Sequence, residues 1–149
     1  MNQTLIVMVG LPRSGKSTYI EKQKWLEKYP VICPDSFRLA IHGQRFYKPA
    51  EPFVWGAVQA TIKALFLRGH KTIILDATNT THSRRKEWEK NEWAVKYVWI
   101  KTSPEECKRR ALATEQEDLI PVIEYLNESS DPFEPDQEVE IIECKSRKV

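Results

Sequence analysis

One nine-residue stretch, GLPRSGKST from Gly10 to Thr18, constrains the fold of this chain more than any other feature. It matches the phosphate-loop pattern G-x-x-x-x-G-K-[ST] at every fixed position. The pattern needs a strand before it and a helix after it, because backbone N–H groups and the helix N-terminus must converge on an anion. The stretch therefore predicts a strand–loop–helix unit that binds the phosphates of a nucleotide.

The residues on either side of the loop have the required character. Segment 4–10, TLIVMVG, is apolar and predicts a short buried strand. After the loop, Ile20, Trp25 and Leu26 recur with helical spacing, which predicts a helix from Ser17 to about residue 28. Strand, loop and helix therefore follow one another in the order that the motif needs.

The side chains of the loop have expected contacts. Lys16 is placed to reach the outer phosphates, and Ser17 offers a hydroxyl to a magnesium ion. ATP as phosphoryl donor and Mg²⁺ are therefore the expected ligands. The predicted nucleotide contacts within the loop are Gly10, Pro12, Arg13, Ser14, Gly15, Lys16, Ser17 and Thr18.

Composition limits the possibilities without naming a function. The 149 residues fit one domain, 1–149, and the net charge of +2 does not indicate a nucleic-acid binder. Cys33, Cys107 and Cys144 have no metal-ligand spacing, which favours reduced thiols in a cytoplasmic protein. The apolar start is shorter than a signal peptide or a membrane span, so no membrane contact is expected.

Two carboxylates follow later predicted strands. Residues 31–33 predict a second strand, and Asp35 comes just after it, followed by a short helix that contains Arg38. Segment 72–76 predicts a buried strand that ends in Asp76. Parallel α/β sheets bind ligands beyond the carboxyl ends of their strands, so we expect these residues on the same rim as the phosphate loop.

Position alone leaves the roles of these residues open. Asp35 and Arg38 are one helical turn apart and can share a face toward a ligand. A helix-capping Asp and a solvated Arg explain the same positions equally well. Many strands end in Asp, but beside a phosphate loop Asp76 suits a magnesium-bound water or the orientation of a phosphoryl acceptor.

The remaining chain alternates helices and strands. A long helix is predicted over 53–68, and a second helix, with Arg84, Arg85 and Trp88, follows residue 81. A capping box at 103–106 predicts the start of a third helix, which continues through Arg110. Further elements are a strand over 94–100, a helix from 121 to about 127, and a strand over 139–144 before a basic tail. This order predicts a three-layer α/β P-loop NTPase fold, with a parallel five-stranded sheet and helices on both faces.

Together these residues resemble the P-loop kinases of the polynucleotide 5′-hydroxyl kinase type, among the small zeta-toxin-like and AAA-like P-loop kinases. The matching segments, in the family's order, are 10–18, PDSFR at 34–38, LDATN at 75–79, Arg84–Arg85, ECKRR at 106–110 and FEP at 133–135. They span nearly the whole chain. The resemblance implies a nucleoside-kinase-like fold with a helical lid, here at about 109–120.

The resemblance also implies residue roles. In that family the Asp matching Asp35 is the general base for the attacking hydroxyl, and the Arg matching Arg38 holds a phosphate of the acceptor. The Asp matching Asp76 helps to organise the acceptor side, where Thr78 and Asn79 are also placed. Through a bound water, Asp76 is further expected to assist Ser17 in binding magnesium.

The predicted lid departs from the family pattern. Such lids have several arginines, whereas here Arg109 and Arg110 are followed by the acidic stretch TEQED at 114–118. Either Arg110 alone contacts the transferred phosphate and the nucleotide, or the acceptor differs. The predicted catalytic set is Lys16, Asp35, Arg38 and Arg110.

Three functions are compatible with these residues. The first is transfer of the γ-phosphate of ATP to the 5′-hydroxyl of a nucleic acid or a 3′-phosphorylated nucleoside. The second is a kinase of a small hydroxyl compound such as a nucleoside, a sugar or an antibiotic. The third is a nucleotide-binding switch, which would need no base at Asp35. Arg38, Arg45, Lys48 and Arg84–Arg85 favour the nucleic acid, whereas the acidic lid opposes it.

Other residues have weaker signals. Arg84–Arg85 fit a solvated helix face as well as an acceptor contact. Trp55 lies nearest the acceptor side, but a core position is favoured over base stacking. Core positions are also expected for Trp25, Trp88, Trp93 and Trp99, and surface or loop positions for His42, His70 and His82.

Overall fold

The computed structural model describes residues 2–89 and 92–144, which form a five-stranded parallel sheet flanked by helices. The strands are β1 (Thr4–Val9), β2 (Val31–Ile32), β3 (Thr72–Leu75), β4 (Ala94–Thr102) and β5 (Val139–Cys144). The helices are α1 (Lys16–Lys22), α2 (Trp25–Lys28), α3 (Pro34–His42), α4 (Glu51–Leu67), α5 (His82–Glu89), α6 (Pro104–Ala113) and α7 (Ile120–Ser129). Short 3₁₀ turns lie at Lys48–Ala50 and Glu117–Leu119.

The strand order is β2-β3-β1-β4-β5, and every pairing is parallel. β1 lies at the centre, so that Ile6 is paired with Ile74 of β3 on one side and with Lys96 of β4 on the other. The predicted fold class, a parallel five-stranded sheet with helices, is confirmed. The carboxyl ends of all the strands meet at one rim.

Successive side chains of a strand point to opposite faces, and the central strand shows this directly. Leu5, Val7 and Val9 are buried in one cluster with α4 and α5, whereas Met8 is buried in another with Ile20 of α1. The sheet is therefore the middle layer of three, which explains why its strands are apolar on both faces.

A third apolar cluster packs α6 and α7 against each other. Leu11, Cys107, Ala111 and Ile123 are all buried there. Because Leu11 belongs to the phosphate loop, this contact attaches the predicted lid region directly to the loop.

The predicted helix over 17–28 is broken in the structure. α1 ends at Lys22, and α2 begins at Trp25 after Lys24, whose φ of 58° is left-handed. The break lets the Trp25 ring pack edge-on against Tyr19, 5.6 Å away between centroids, and leaves Leu26 exposed. The helical spacing was correct only as far as the break, because a left-handed residue ends the i→i−4 hydrogen bonds.

Arg85 is neither solvated nor at the acceptor, so both interpretations from the sequence were wrong for it. It is fully buried, and its guanidinium donates to the carbonyls of Asn79, Thr80, Asp131 and Pro132 over 2.8 to 3.2 Å. It connects the segment after β3 to the segment before β5, which explains why a charged residue lies inside the fold.

The structure also locates the tryptophans, cysteines and histidines that the sequence singled out. Trp88 and Trp93 are buried, Trp25, Trp55 and Trp99 are half-buried at the core edges, and the three cysteines are free. His70 is exposed and His42 and His82 are half-buried, and no metal-binding cluster of three side chains occurs within 2–89 and 92–144. In that same part of the chain, no helix combines the length and apolarity needed to cross a membrane. The basic tail lies outside the described residues.

Candidate active site

The phosphate loop connects β1 to α1 and needs both of its glycines. At Gly10 a Cβ atom would lie 2.6 Å from Oγ of Ser14 and 3.0 Å from the carbonyl oxygen of Ile100, closer than real contacts. At Gly15 the φ of 107° is one that L side chains rarely adopt. The loop therefore curls tightly over the end of β4, as the motif predicts.

Lys16 lies over the loop. Its Nζ donates to the carbonyl oxygens of Gly10 at 2.9 Å and Leu11 at 2.8 Å. Burial lowers the pKa of Lys16, and the negative charges of Asp76 and Asp35 oppose that shift. Both carboxylates therefore act on the same ammonium group, as expected for residues that share one rim.

Ser17 and Asp76 meet at the predicted metal position. Oγ of Ser17 donates to Oδ2 of Asp76 over 2.9 Å. A hydroxyl and a carboxylate are hard oxygen ligands, and Mg²⁺ typically combines one or two such protein groups with waters and substrate phosphates. The donor set fits magnesium, which Ser17 and Asp76 would hold directly or through water.

Asp35 lies in the first turn of α3 and is not its cap. The N-cap of this helix is Cys33, with Pro34 at the first helical position, and no side chain caps the helix. Oδ1 of Asp35 accepts a hydrogen bond from Nη1 of Arg38 at 2.7 Å. The Asp35 side chain is 71% exposed, so a hydroxyl group can approach it.

Arg38 has a second carboxylate partner that the sequence did not reveal. Its Nε and Nη2 donate to the two carboxylate oxygens of Glu51, at 3.0 and 2.7 Å. Arg38 is only 15% exposed; burial would lower its pKa, but the hydrogen bonds to Glu51 and Asp35 outweigh burial and raise it. The hydrogen bonds from Arg38 also lower the pKa of Glu51, to which the Trp55 side chain donates as well.

Thr78 and Asn79 form hydrogen bonds with the end of β1 and the start of the phosphate loop. The carbonyl of Thr78 accepts the backbone N–H of Gly10 at 3.0 Å. Asn79 is 1% exposed, and its amide donates to the carbonyl of Met8 at 2.8 Å and accepts from Nε1 of Trp88 at 3.0 Å. Asn79 therefore holds the segment after β3 against β1 and is not exposed to solvent.

The two lid arginines are held by one carboxylate, Glu106, whose contacts neither the capping box nor the ECKRR segment predicted. Arg109 donates to both of its oxygens, at 2.7 and 2.8 Å, and Nε of Arg110 donates to Oε2 at 2.8 Å. The hydrogen bond from Arg109, aided by Arg110, lowers the pKa of Glu106 to about 2. Glu106 is thus a buried anion that orients both guanidinium groups.

Only one of the two arginines reaches the loop. Nη1 of Arg110 donates to the carbonyls of Arg13 at 3.1 Å and Ser14 at 3.2 Å. Arg109 is exposed and is bound to Glu106 through both Nε and Nη2. The geometry therefore puts Arg110, and not Arg109, beside the backbone of the phosphate loop.

Thr102 also supports the loop and was missed because β4 was expected to end at residue 100. The strand extends to Thr102, whose hydroxyl donates to the carbonyl of Ser14 at 2.7 Å. Arg110 and Thr102 thus hold the same carbonyl from two different elements. The sequence signal was weak, because Thr102 lies two residues beyond the predicted end of the strand.

The comparisons with known proteins begin with a family. A family model described as an AAA domain matches residues 5–123. That range runs from β1 into α7 and contains the phosphate loop, Asp35, Asp76, Glu106 and Arg110.

One curated relative is the bifunctional polynucleotide phosphatase/kinase of Schizosaccharomyces pombe, with 30% identity over 87 residues. The matched segment is 58% of this chain and 17% of that protein. The chain therefore spans a small fraction of the length of this relative.

Solved structures share the fold. A chain in a structure of the Pnkp1/Rnl/Hen1 complex superposes with a TM-score of 0.63 and 27% identity, covering 72% of this chain and 38% of that one. A gluconokinase from Sinorhizobium meliloti 1021 superposes with a TM-score of 0.64 and 18% identity, covering 95% of this chain and 83% of that one. At 18% identity the second likeness shows the fold alone.

Proposed function

Since the chain belongs to the AAA domain family and has the P-loop kinase fold, we propose that it transfers the γ-phosphate of ATP to a 5′-hydroxyl. The acceptor is the 5′ end of a nucleic acid or a nucleoside that has a 3′-phosphate. The observation on which this depends is the contact between Asp35 and Arg38 on the rim that also holds Lys16, Ser17 and Asp76. A switch that only binds nucleotide needs no such carboxylate beside its phosphate site.

The proposed chemistry follows from these positions. Asp35 accepts the proton of the 5′-hydroxyl, whose oxygen bonds to the γ-phosphorus while the bond to the bridging oxygen breaks and ADP leaves. Lys16, the loop amides and Arg110 stabilise the negative charge spread over the transferred group. Magnesium, when bound at Ser17 and Asp76, neutralises charge on the phosphates. The segment 109–120 acts as the lid that excludes water.

The Nη1 edge of the Arg38 guanidinium is an argument for a nucleotide as the acceptor. Its Nε and Nη2 are committed to Glu51, whereas Nη1 contacts the exposed Asp35. A phosphate one sugar away from the reacting hydroxyl would bind at this Nη1 edge. Glu51 would meanwhile keep the guanidinium in place, so the acceptor would displace one hydrogen bond rather than the whole pair.

The ion pairs of Arg38 with Asp35 and Glu51 also favour a second candidate, a kinase of a small neutral hydroxyl compound. Arg38 already has two carboxylate partners, so it does not need a phosphate to balance its charge. In that case Arg38 would only orient Asp35. The likeness of the fold to a gluconokinase is compatible with this alternative.

The test compares a nucleoside 3′-phosphate with the same nucleoside lacking the phosphate, using labelled ATP. The proposal predicts a strong preference for the phosphorylated acceptor, which Arg38→Ala abolishes. Arg68→Ala is the matched control, because Arg68 is exposed at the end of α4, near the amino end of β3 and away from the carboxyl-end rim. Equal use of both acceptors by the wild type, or use of a sugar alone, would favour the small-molecule kinase.

A further inference from the structure

The connection between α3 and α4, together with the first turn of α4, exposes large aromatic side chains. Phe46, Tyr47 and Phe53 are 59%, 47% and 72% exposed. Large aromatic residues usually bury most of their surface, and a group of exposed ones is typical of a binding surface. We call Arg45, Phe46, Tyr47, Lys48 and Phe53 the aromatic surface.

Along the chain, this surface adjoins the proposed acceptor site. Residues 45–48 connect the two helices that provide Arg38 and Glu51, whose side chains are paired, and Phe53 follows Glu51 by two residues. At its other side, Arg45 forms an ion pair with Asp118 of the predicted lid. Arg45 follows α3, which begins after β2, and Asp118 follows α6, which begins after β4. This ion pair therefore joins segments that come from either side of β3 and β1.

The order of residues 45–48 is basic, aromatic, aromatic, basic, and all four are exposed. Single-stranded nucleic acids are bound by such a combination, because bases stack on aromatic rings while the basic groups contact the phosphates. A protein partner would be held by the apolar rings without needing cations at both ends. The charge pattern therefore favours a nucleic-acid strand.

We propose that the aromatic surface binds the nucleotides that follow the terminal one in a single-stranded acceptor. This inference rests on the proposed function and names its acceptor more closely, as a strand rather than a lone nucleotide. The terminal nucleotide occupies the site at Asp35 and Arg38, and the next bases stack on Phe46, Tyr47 and Phe53. The phosphates between them contact Arg45 and Lys48.

Asp118 competes with the strand in this arrangement. Its ion pair with Arg45 is exposed on both sides, and such pairs contribute little stability. A strand phosphate can therefore replace Asp118 on Arg45 at little cost. Removing the Asp118 charge should consequently strengthen strand binding.

The experiment measures KM for acceptors with a 5′-hydroxyl, from a nucleoside 3′-phosphate to single strands of six nucleotides. In the wild type each stacked base should lower KM by roughly tenfold until the surface is filled. Phe46→Ala and Phe53→Ala should each remove about one such step, with KM for ATP unchanged. Asp118→Asn should lower KM for the long acceptors by a few fold. Leu67→Ala, at the exposed far end of α4, is the matched control and should change nothing.

The outcomes separate this inference from the proposed function. If the nucleoside 3′-phosphate is a good acceptor but KM does not fall with length, the strand inference is wrong and the proposed function stands. If no 5′-hydroxyl is phosphorylated, the proposed function is wrong, and anisotropy of a fluorescent oligonucleotide decides the inference, with absence of binding overturning it. Sedimentation of the wild type and Phe53→Ala provides the last check. A dimer that Phe53→Ala dissociates would assign the surface to a second copy of the chain instead.

Discussion

Glu106→Gln tests how the lid arginine is positioned. Glu106 is buried and binds Arg110, whose Nη1 reaches the phosphate-loop carbonyls of Arg13 and Ser14. Gln has nearly the same shape but no charge. The substitution therefore keeps the packing of α6 and weakens the hydrogen bond from Nε of Arg110, which is 2.8 Å long.

The expected magnitude follows from these contacts. Arg110→Ala removes a charged donor beside the transferred phosphate, and the loss of one such donor lowers turnover by about 10²–10³-fold. Glu106→Gln keeps the arginine but replaces a charge-assisted hydrogen bond with a neutral one of roughly half the strength. We therefore expect turnover to fall about five- to tenfold, with nucleotide affinity nearly unchanged.

The assay is single-turnover transfer at saturating Mg·ATP, combined with titration of a fluorescent ATP analogue. If Glu106 acts through Arg110, Glu106→Gln should have less than about a twofold further effect in the Arg110→Ala background. Arg109→Ala is the matched control and should lower turnover less than about twofold. The reasoning is refuted if Glu106→Gln has the same effect in both backgrounds, or if Arg109→Ala is the more damaging substitution.

Three further predictions concern the loop, the base and acid stability. Lys16→Ala should abolish transfer and weaken nucleotide binding while circular dichroism shows an intact fold, and normal turnover would refute the phosphate-loop assignment. Asp35→Asn should keep ATP affinity and lower the transfer rate about 100-fold or more, whereas an unchanged rate would leave Asp35 without a catalytic role. Because the pKa of Glu106 is lowered from 4.5 to about 2, its contribution to stability is present above pH 4.5 and is lost as the pH falls toward 2. Chemical denaturation at several pH values should show that loss, and Glu106→Gln should reduce it; identical pH profiles would contradict the assignment.

The sequence predicted the parts of the site that depend on local order. The phosphate loop has a fixed spacing, and the positions of Asp35 and Asp76 follow from the rule that parallel strands end at one rim. The hydrogen bond between Ser17 and Asp76 is a consequence of that rule. The apolar strands were recognisable because each is buried on both faces.

The missed features depend on side chains that meet across the fold. Glu51 lies on a different helix from Arg38, and Thr102 is 88 residues from its partner Ser14. Neither spacing nor composition encodes such a pair. Arg85 was expected either on a solvated helix face or at the acceptor, because arginine is charged, yet four backbone carbonyls hold it inside. The break in the first helix at Lys24 was not predicted, because a single left-handed residue leaves no trace in the spacing of the apolar residues.

A competition experiment tests the central claim most directly. The protein is given labelled ATP and magnesium together with a single-stranded oligonucleotide that has a 5′-hydroxyl and gluconate at equal concentration, and the products are separated. The account predicts that the label appears at the 5′ end of the oligonucleotide, and that Asp35→Asn lowers the rate of labelling about 100-fold or more. Label in phosphogluconate alone, or release of inorganic phosphate with neither acceptor modified, would contradict it.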